Sequence, residues 1–313
     1  LLFRIVIKIP HSYISNFNLK QFLKKIVALI LLFICYNCLN LVINFWFIRT
    51  QKFLKKNILV VGDSQFMTGI DDNLFYSAWN ISQPAEPLPL SYWKIKKLTT
   101  TSSYDTILIN ISHQRISFFN EIKFGHKKYK DEFNNRMYPF INDVRISKLN
   151  FNGLDFIKKF YQQMCLFPKL NHKTFIGEFS RATNNSFLKK PYDKKKLETR
   201  INNHFYDSRN ESYSVSNISL NYIDSIITFT SSKKITPIFI SLPVHEKYIS
   251  KVPEGIKSAF ESLSSKLKLN DIKFLDYTTL KISDSLFLDF DHLNKDGSKL
   301  ISRRIIEDLK LLK

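Results

Sequence analysis

Val60–Asp71 reads VVGDSQFMTGID, and the apolar, β-branched run ILVV leads into it from Asn57. A run of that length and branching suits a strand buried on both faces, as in a parallel sheet. The glycine of Gly62-Asp63-Ser64 permits a tight turn, and the serine opens the next helix. The hydroxyl is then expected at the strand's carboxyl end, where a helix N-terminus favours developing negative charge. A serine there also serves as a plain N-cap, with Asp63 as turn former.

Working outward, strand-like runs recur at Thr106–Ile111, Ile235–Leu242 and Ile272–Tyr277. Helical patterns lie between them at Ser91–Leu98, Leu154–Met164, Leu220–Ser231 and Ile256–Leu267. A last helix runs from about Lys295 to Leu312, with Leu300, Ile301, Ile305, Leu309 and Leu312 as its apolar stripe. Alternation of this kind predicts an α/β fold: three α/β/α layers around a mostly parallel sheet. Residues 120–215 are polar, rich in Asn and Lys, and weakly periodic, so they are expected to be an insertion. Within them KKPYDKKKLETR (Lys189–Arg200) is a charge run. A solvated loop or helix start is the expected reading; a contact with anionic substrate is the functional one.

The second chemical signal is LFLDFDHLNKDGSKLI, Leu286–Ile301. Asp289 precedes His292 by three residues. A carboxylate so placed can hold one ring nitrogen while the other takes a proton from a serine. Asp291 adjoins the same histidine. An Asp-rich loop carrying a surface histidine is the bland reading of this stretch alone.

Together the two blocks resemble the SGNH (GDSL-type) hydrolases. Gly62–Ser64 matches the family's GDS block, and Asp289 with His292 matches its DxxH block. The resemblance implies Ser64 as nucleophile, His292 as general base and Asp289 as the residue that orients the imidazole. It covers about residues 57–313, expected to form one domain. The HLNxxG ending looks like the membrane-anchored members of cell-envelope polysaccharide pathways. The family's second block supplies an oxyanion-binding backbone N–H. Here Asn80–Tyr92 stands in that place, and Ala85 or a neighbour replaces the glycine. The third block, GxND, is absent: Thr106–Ile111 runs into Ser112-His113-Gln114, which leaves His113 and Asn110 as candidate donors. Losing one such donor typically costs about a hundred- to a thousandfold in rate.

His245, in LPVHEKY, follows a strand and is the candidate substrate contact; capping a loop is the commoner role. No His or Cys spacing suggests a metal, and no glycine-rich phosphate loop is present, so neither a metal nor a cofactor is expected.

Ile26–Ile48 carries no charged residue, and at about 1.5 Å per residue it spans a roughly 30 Å hydrocarbon core. A single transmembrane helix is expected there, with residues 1–25 as a cytoplasmic or juxtamembrane segment. Asn37, Asn40 and Asn44 fall on one face and suit a helix–helix contact. Cys35 and Cys38 sit inside this run, so their CxxC spacing carries no redox reading. Basic residues flank both ends, so charge does not orient the helix. An extracytoplasmic catalytic domain is the expectation that goes with the family branch.

The 313 residues carry a net charge of +20, but lysines are spread along the whole chain and no nucleic-acid-binding motif is visible. The expected partners are a membrane, an envelope glycan or other acylated substrate, and a membrane acyltransferase, with no nucleic acid. The function expected is a membrane-anchored serine esterase or O-acyltransferase; the alternative is a catalytically inactive scaffold of the same fold.

Overall fold

The computed structural model describes residues 18–50, 56–100, 102–125 and 193–310. The chain divides into two compact units, one containing the N-terminal helix and the other the α/β domain.

The N-terminal helix α1 spans Leu19–Thr50. Its stretch Leu19–Asn44 is long and apolar enough to cross a membrane. Its apolar side chains are largely exposed, Leu29 and Leu32 among them, while Asn40 and Asn44 are buried. Asn37 instead turns its amide back to the Phe33 carbonyl within the helix, at 2.7 Å.

In the domain, β1 (Ile58–Val61), β2 (Ala78–Asn80), β3 (Thr106–Asn110), β4 (Thr236–Ser241) and β5 (Phe274–Asp276) form one all-parallel sheet in the order β2-β1-β3-β4-β5. Between and after them lie α2 (Ser64–Gly69), α3 (Leu88–Leu98), α4 (His113–Ile116), α5 (Phe119–Gly125), α6 (Lys194–Phe205), α7 (Asn217–Ser232), α8 (Glu246–Ile249), α9 (Glu254–Leu269) and α10 (Lys295–Lys310). The expected insertion is described only at its two ends, and the helical pattern at Leu154–Met164 lies outside the described residues.

Successive strand residues point to opposite faces, and here both faces are apolar and buried. Val60, Leu108, Ile238 and Ile240 pack with Phe66 of α2, Ile70 just after it, and Ile301 and Ile305 of α10. Leu59, Ile107, Ile109 and Phe239 look the other way and are equally inaccessible, covered by the side that carries α3, α7 and α9. The result is the three-layer architecture expected from the strand–helix alternation. One member of the expected α10 stripe is corrected: Leu300 is exposed, because the buried row runs through Ile301 and Ile305.

Two glycines are fixed by close approach. A Cβ on Gly62 would lie 2.6 Å from Asn110 Cβ and 2.8 Å from Phe66 Cβ, so the turn after β1 admits no side chain. A Cβ on Gly297 would meet the Leu286 carbonyl oxygen at 2.2 Å. The HLNxxG ending is thus packing chemistry. Asn294 caps α10 by accepting from the N–H groups of Asp296 and Gly297, and Leu293 is buried in the core.

The two chain ends of the domain are tied directly. The Asp71 N–H donates to Ser302 Oγ of α10 at 2.9 Å, and Gln65 Nε2 donates to the Asp291 carbonyl at 3.2 Å. These bonds, with the shared α2–α10 core, carry the C-terminal loop to the carboxyl end of β1.

Candidate active site

Ser64 is the first residue of α2, one step past the turn that follows β1. Asp63 caps the helix by accepting from Gln65 N–H at 2.9 Å, and its other oxygen accepts from Gln114 Nε2 at 3.0 Å. Both bonds are buried, so the turn is held on two sides. Ser64 Oγ lies 2.8 Å from His292 Nε2, across 228 residues of sequence. The opposite ring nitrogen, Nδ1, lies 2.9 Å and 3.1 Å from the two oxygens of Asp289. Asp289 Oδ1 also accepts the N–H groups of Asp291 and His292, which fix the loop around the carboxylate. In the neutral imidazole Nδ1 therefore carries the proton toward Asp289, and Nε2 is left to accept from the serine.

Charge around the imidazole is dense. Burial pulls the His292 pKa down, but Asp291 and Asp289 outweigh it and hold it at about 9. Burial raises Asp291. The same effect acts on Asp289, yet His292 and Arg200 overcome it and keep that carboxylate ionised. Asp289, Asp291 and His292 bring potential ligand atoms within 4.8 Å of one another. The positive charge that meets them is Arg200 of α6: NH1 is 2.5 Å from Asp291 Oδ1, and NH2 is 3.0 Å from Asp289 Oδ2.

Arg200 belongs to the charge run read as a solvated loop or helix start. Lys194, Lys195 and Lys196 fit that reading and are exposed. Leu197, Ile201 and Phe205 are buried at four-residue spacing and seat one face of α6, and Arg200 lies beside that face. His204, one turn further, has Nδ1 2.7 Å from the Tyr248 hydroxyl of α8. Burial lowers the His204 pKa and raises that of Tyr248, so this pair is neutral. The sequence assigned nothing to His204, and Arg200 had no signal beyond the charge run.

The oxyanion candidates part company. Asn110 ends β3 against Gly62, fully buried, and among the described residues neither its amide nitrogen nor its amide oxygen has a hydrogen-bond partner. Ala85 lies in the loop after β2 with a left-handed φ of 55°, the backbone conformation a glycine would adopt without strain. His113 needs correction. Its ring stacks on Phe260 of α9 at 4.1 Å between centroids, and burial lowers its pKa to about 4. At the start of α4, neighbouring side chains diverge by about 100°, so Gln114, not His113, reaches Asp63.

His245 is corrected too. It is buried, its Nδ1 accepts from Lys247 N–H to cap α8, and its ring packs edge-on against Phe287 and Phe290. Its own N–H donates to the Phe290 carbonyl. It is a brace under the Asp289–His292 loop, not a surface offered to substrate.

Behind the β2 loop is a network that the sequence reading missed. Glu86 and Lys94 form a fully buried ion pair. Ser91 Oγ donates to Glu86 at 2.6 Å. Arg115 donates to the carbonyls of Asn110 (2.6 Å) and Glu86 (3.0 Å) and to Ser91 Oγ (2.8 Å). The backbone on either side of the candidate oxyanion groups is thereby fixed.

Fold and site together define an α/β protein with a serine–histidine–aspartate chain of hydrogen bonds at the carboxyl edge of a parallel sheet. No family model matches the sequence, and no curated protein matches it. Solved structures similar to it include a candidate acylhydrolase from Bacteroides fragilis, 11% identical, covering 86% of this chain and 94% of its own with a TM-score of 0.43. A GDSL-like lipase from Bacteroides thetaiotaomicron is 10% identical over 82% and 89%, TM-score 0.41. A member of the lipolytic protein G-D-S-L family from Veillonella parvula is 12% identical over 80% and 96%, TM-score 0.38. Likenesses this distant add nothing to the chemistry, which rests on the hydrogen bonds themselves.

Proposed function

We propose that the chain is a membrane-tethered serine esterase or O-acyltransferase acting on acyl esters of an envelope polysaccharide. The observation that carries the reading is the Ser64–His292–Asp289 chain, because proton transfer from an alcohol to an imidazole needs direct contact. His292 Nε2 takes the Ser64 proton as Oγ attacks the acyl carbonyl. The tetrahedral oxyanion meets the free amide of Asn110 and the N–H of Ala85. Collapse breaks the ester bond, and His292 returns the proton to the leaving alcohol, which leaves an acyl-Ser64. A water or a sugar hydroxyl then gives its proton to His292 and takes the acyl group, and His292 passes that proton to the departing Ser64 Oγ. Water makes the chain a deacylase; a sugar hydroxyl makes it a transferase, fed by an acyl-carrying membrane partner.

Support for the membrane-side part of the reading is the apolar helix Leu19–Asn44, which would keep the domain where a glycan is assembled. Labelling by a fluorophosphonate tests the nucleophile. Wild type should label, Ser64→Ala should not, and wild type should release acetate from envelope polysaccharide where Ser64→Ala does not. If wild type stays unlabelled where a control esterase reacts, the inactive-scaffold alternative replaces this one.

A further inference from the structure

The imidazole of His292 has one Nδ1–H and two carboxylates within reach. Asp289 Oδ1 is at 2.9 Å and Asp291 Oδ1 at 3.5 Å. A ring that turned toward Asp291 would aim Nε2 elsewhere and lose the contact with Ser64. Arg200 sits between the two acids: one guanidinium nitrogen is on Asp291 and the other on Asp289. A planar, two-pronged donor does this and a point charge does not. Arg200 NH1 is also 3.2 Å from His292 Nδ1 itself.

We infer that Arg200 is a positioning residue for the imidazole: it occupies Asp291, locks Asp289, and so leaves Asp289 alone to hold Nδ1. The inference rests on the acyl-transfer reading of Ser64 for its consequence, though not for its geometry. The groups facing His292 are Asp289 and Asp291 on its own loop, Ser64 on the turn after β1, and Arg200 and His204 on α6; behind them Tyr248 of α8 faces Asp291 and Arg200, and Lys123 of α5 lies near His204. With Arg200 the set Asp289, Asp291, His292 and Arg200 is neutral when the imidazole is charged. Without it the set is left with one negative charge, which holds the imidazolium more tightly. The base works only when neutral, so the rate rises as pH climbs through the His292 pKa of about 9. Arg200 pulls that value down, and removing it must move the alkaline rise to higher pH.

The test uses the full chain in detergent as wild type, Arg200→Gln and Arg200→Lys. Each is labelled with fluorophosphonate across neutral to alkaline pH, and the His292 ring is titrated by NMR with carbon-13 histidine. Arg200→Gln should cut the labelling rate at neutral pH by about a hundredfold and move the midpoint upward. Arg200→Lys should keep the midpoint near wild type and remain slow, because it restores the charge without the fork. A glutamine variant with the wild-type rate and midpoint overturns the inference, and so does a slower variant whose midpoint and ring titration have not moved. Should wild type fail to label at all, the acyl-transfer reading falls; the ring titration still decides Arg200, an upward move supporting it and an unmoved one ending it.

Discussion

Two arginines frame this site and are used in opposite ways. Arg115 is wholly buried and spends its donors on backbone carbonyls and a serine. Arg200 is about a third open to water, and its donors lie on the two carboxylates beside the imidazole. Burial acts against the charge of both. At Arg115 it prevails and lowers the pKa, partly offset by Asp63 and Glu86. At Arg200 the two carboxylates outweigh it and raise the pKa. The difference separates holding a scaffold from tuning a reaction: one cation fixes backbone that never changes charge, the other faces groups that exchange a proton.

The comparison breaks most visibly at Arg115. Replacing it with Met takes a donor from the carbonyls of Asn110 and Glu86 and leaves the Glu86–Lys94 pair without its neighbour. Removing one member of a buried charged network costs about 3–5 kcal/mol. Urea denaturation of Arg115→Met should show that loss in the midpoint, while Arg200→Gln, with its guanidinium partly in water, should lose less. Equal losses would mean that Arg200 too is chiefly scaffold.

Next in size is Asn110. Its amide is buried beside the serine turn with no partner among the described residues, and an unpaired polar group of this kind costs about 1–3 kcal/mol. The expense makes sense if a substrate oxyanion completes it. Asn110→Ala should then slow turnover of an acetyl ester by about a hundred- to a thousandfold without lowering the denaturation midpoint. A variant that turns over normally removes Asn110 from the oxyanion site.

These contrasts mark what the sequence could disclose. β1, β3 and β4 were legible because both-face burial writes continuous apolar runs, and α10 because a closing helix needs a stripe. Ser64, Asp289 and His292 were nameable because each requires a particular side chain at a local spacing, next to a strand end or a helix start. Arg200 was not, since it reaches Asp289 from 89 residues away in a stretch whose described lysines are exposed. His113 was named because spacing cannot tell which residue of a helix start turns inward. His245 fitted a substrate role as well as a cap until Lys247 N–H was found on its ring. The Glu86–Lys94–Arg115 network left no trace, because charged residues in a loop and two helices read as surface.

Ala85 is the smallest and sharpest test. The role given to it belongs to its N–H, which any residue but proline supplies, so its place after β2, and not its side chain, made it a candidate. Its φ of 55° costs an L-residue about 1–2 kcal/mol, and a glycine there escapes that strain while adding about 0.4–1 kcal/mol of unfolded-chain entropy. Ala85→Gly should therefore leave stability within about 1 kcal/mol of wild type and leave the esterase rate unchanged. Ala85→Pro forbids the positive φ and deletes the donor, so it should fail in rate and stability together. A glycine variant slowed tenfold or more would show that the methyl group itself matters. The site would then use a side chain where the structure offers a backbone N–H.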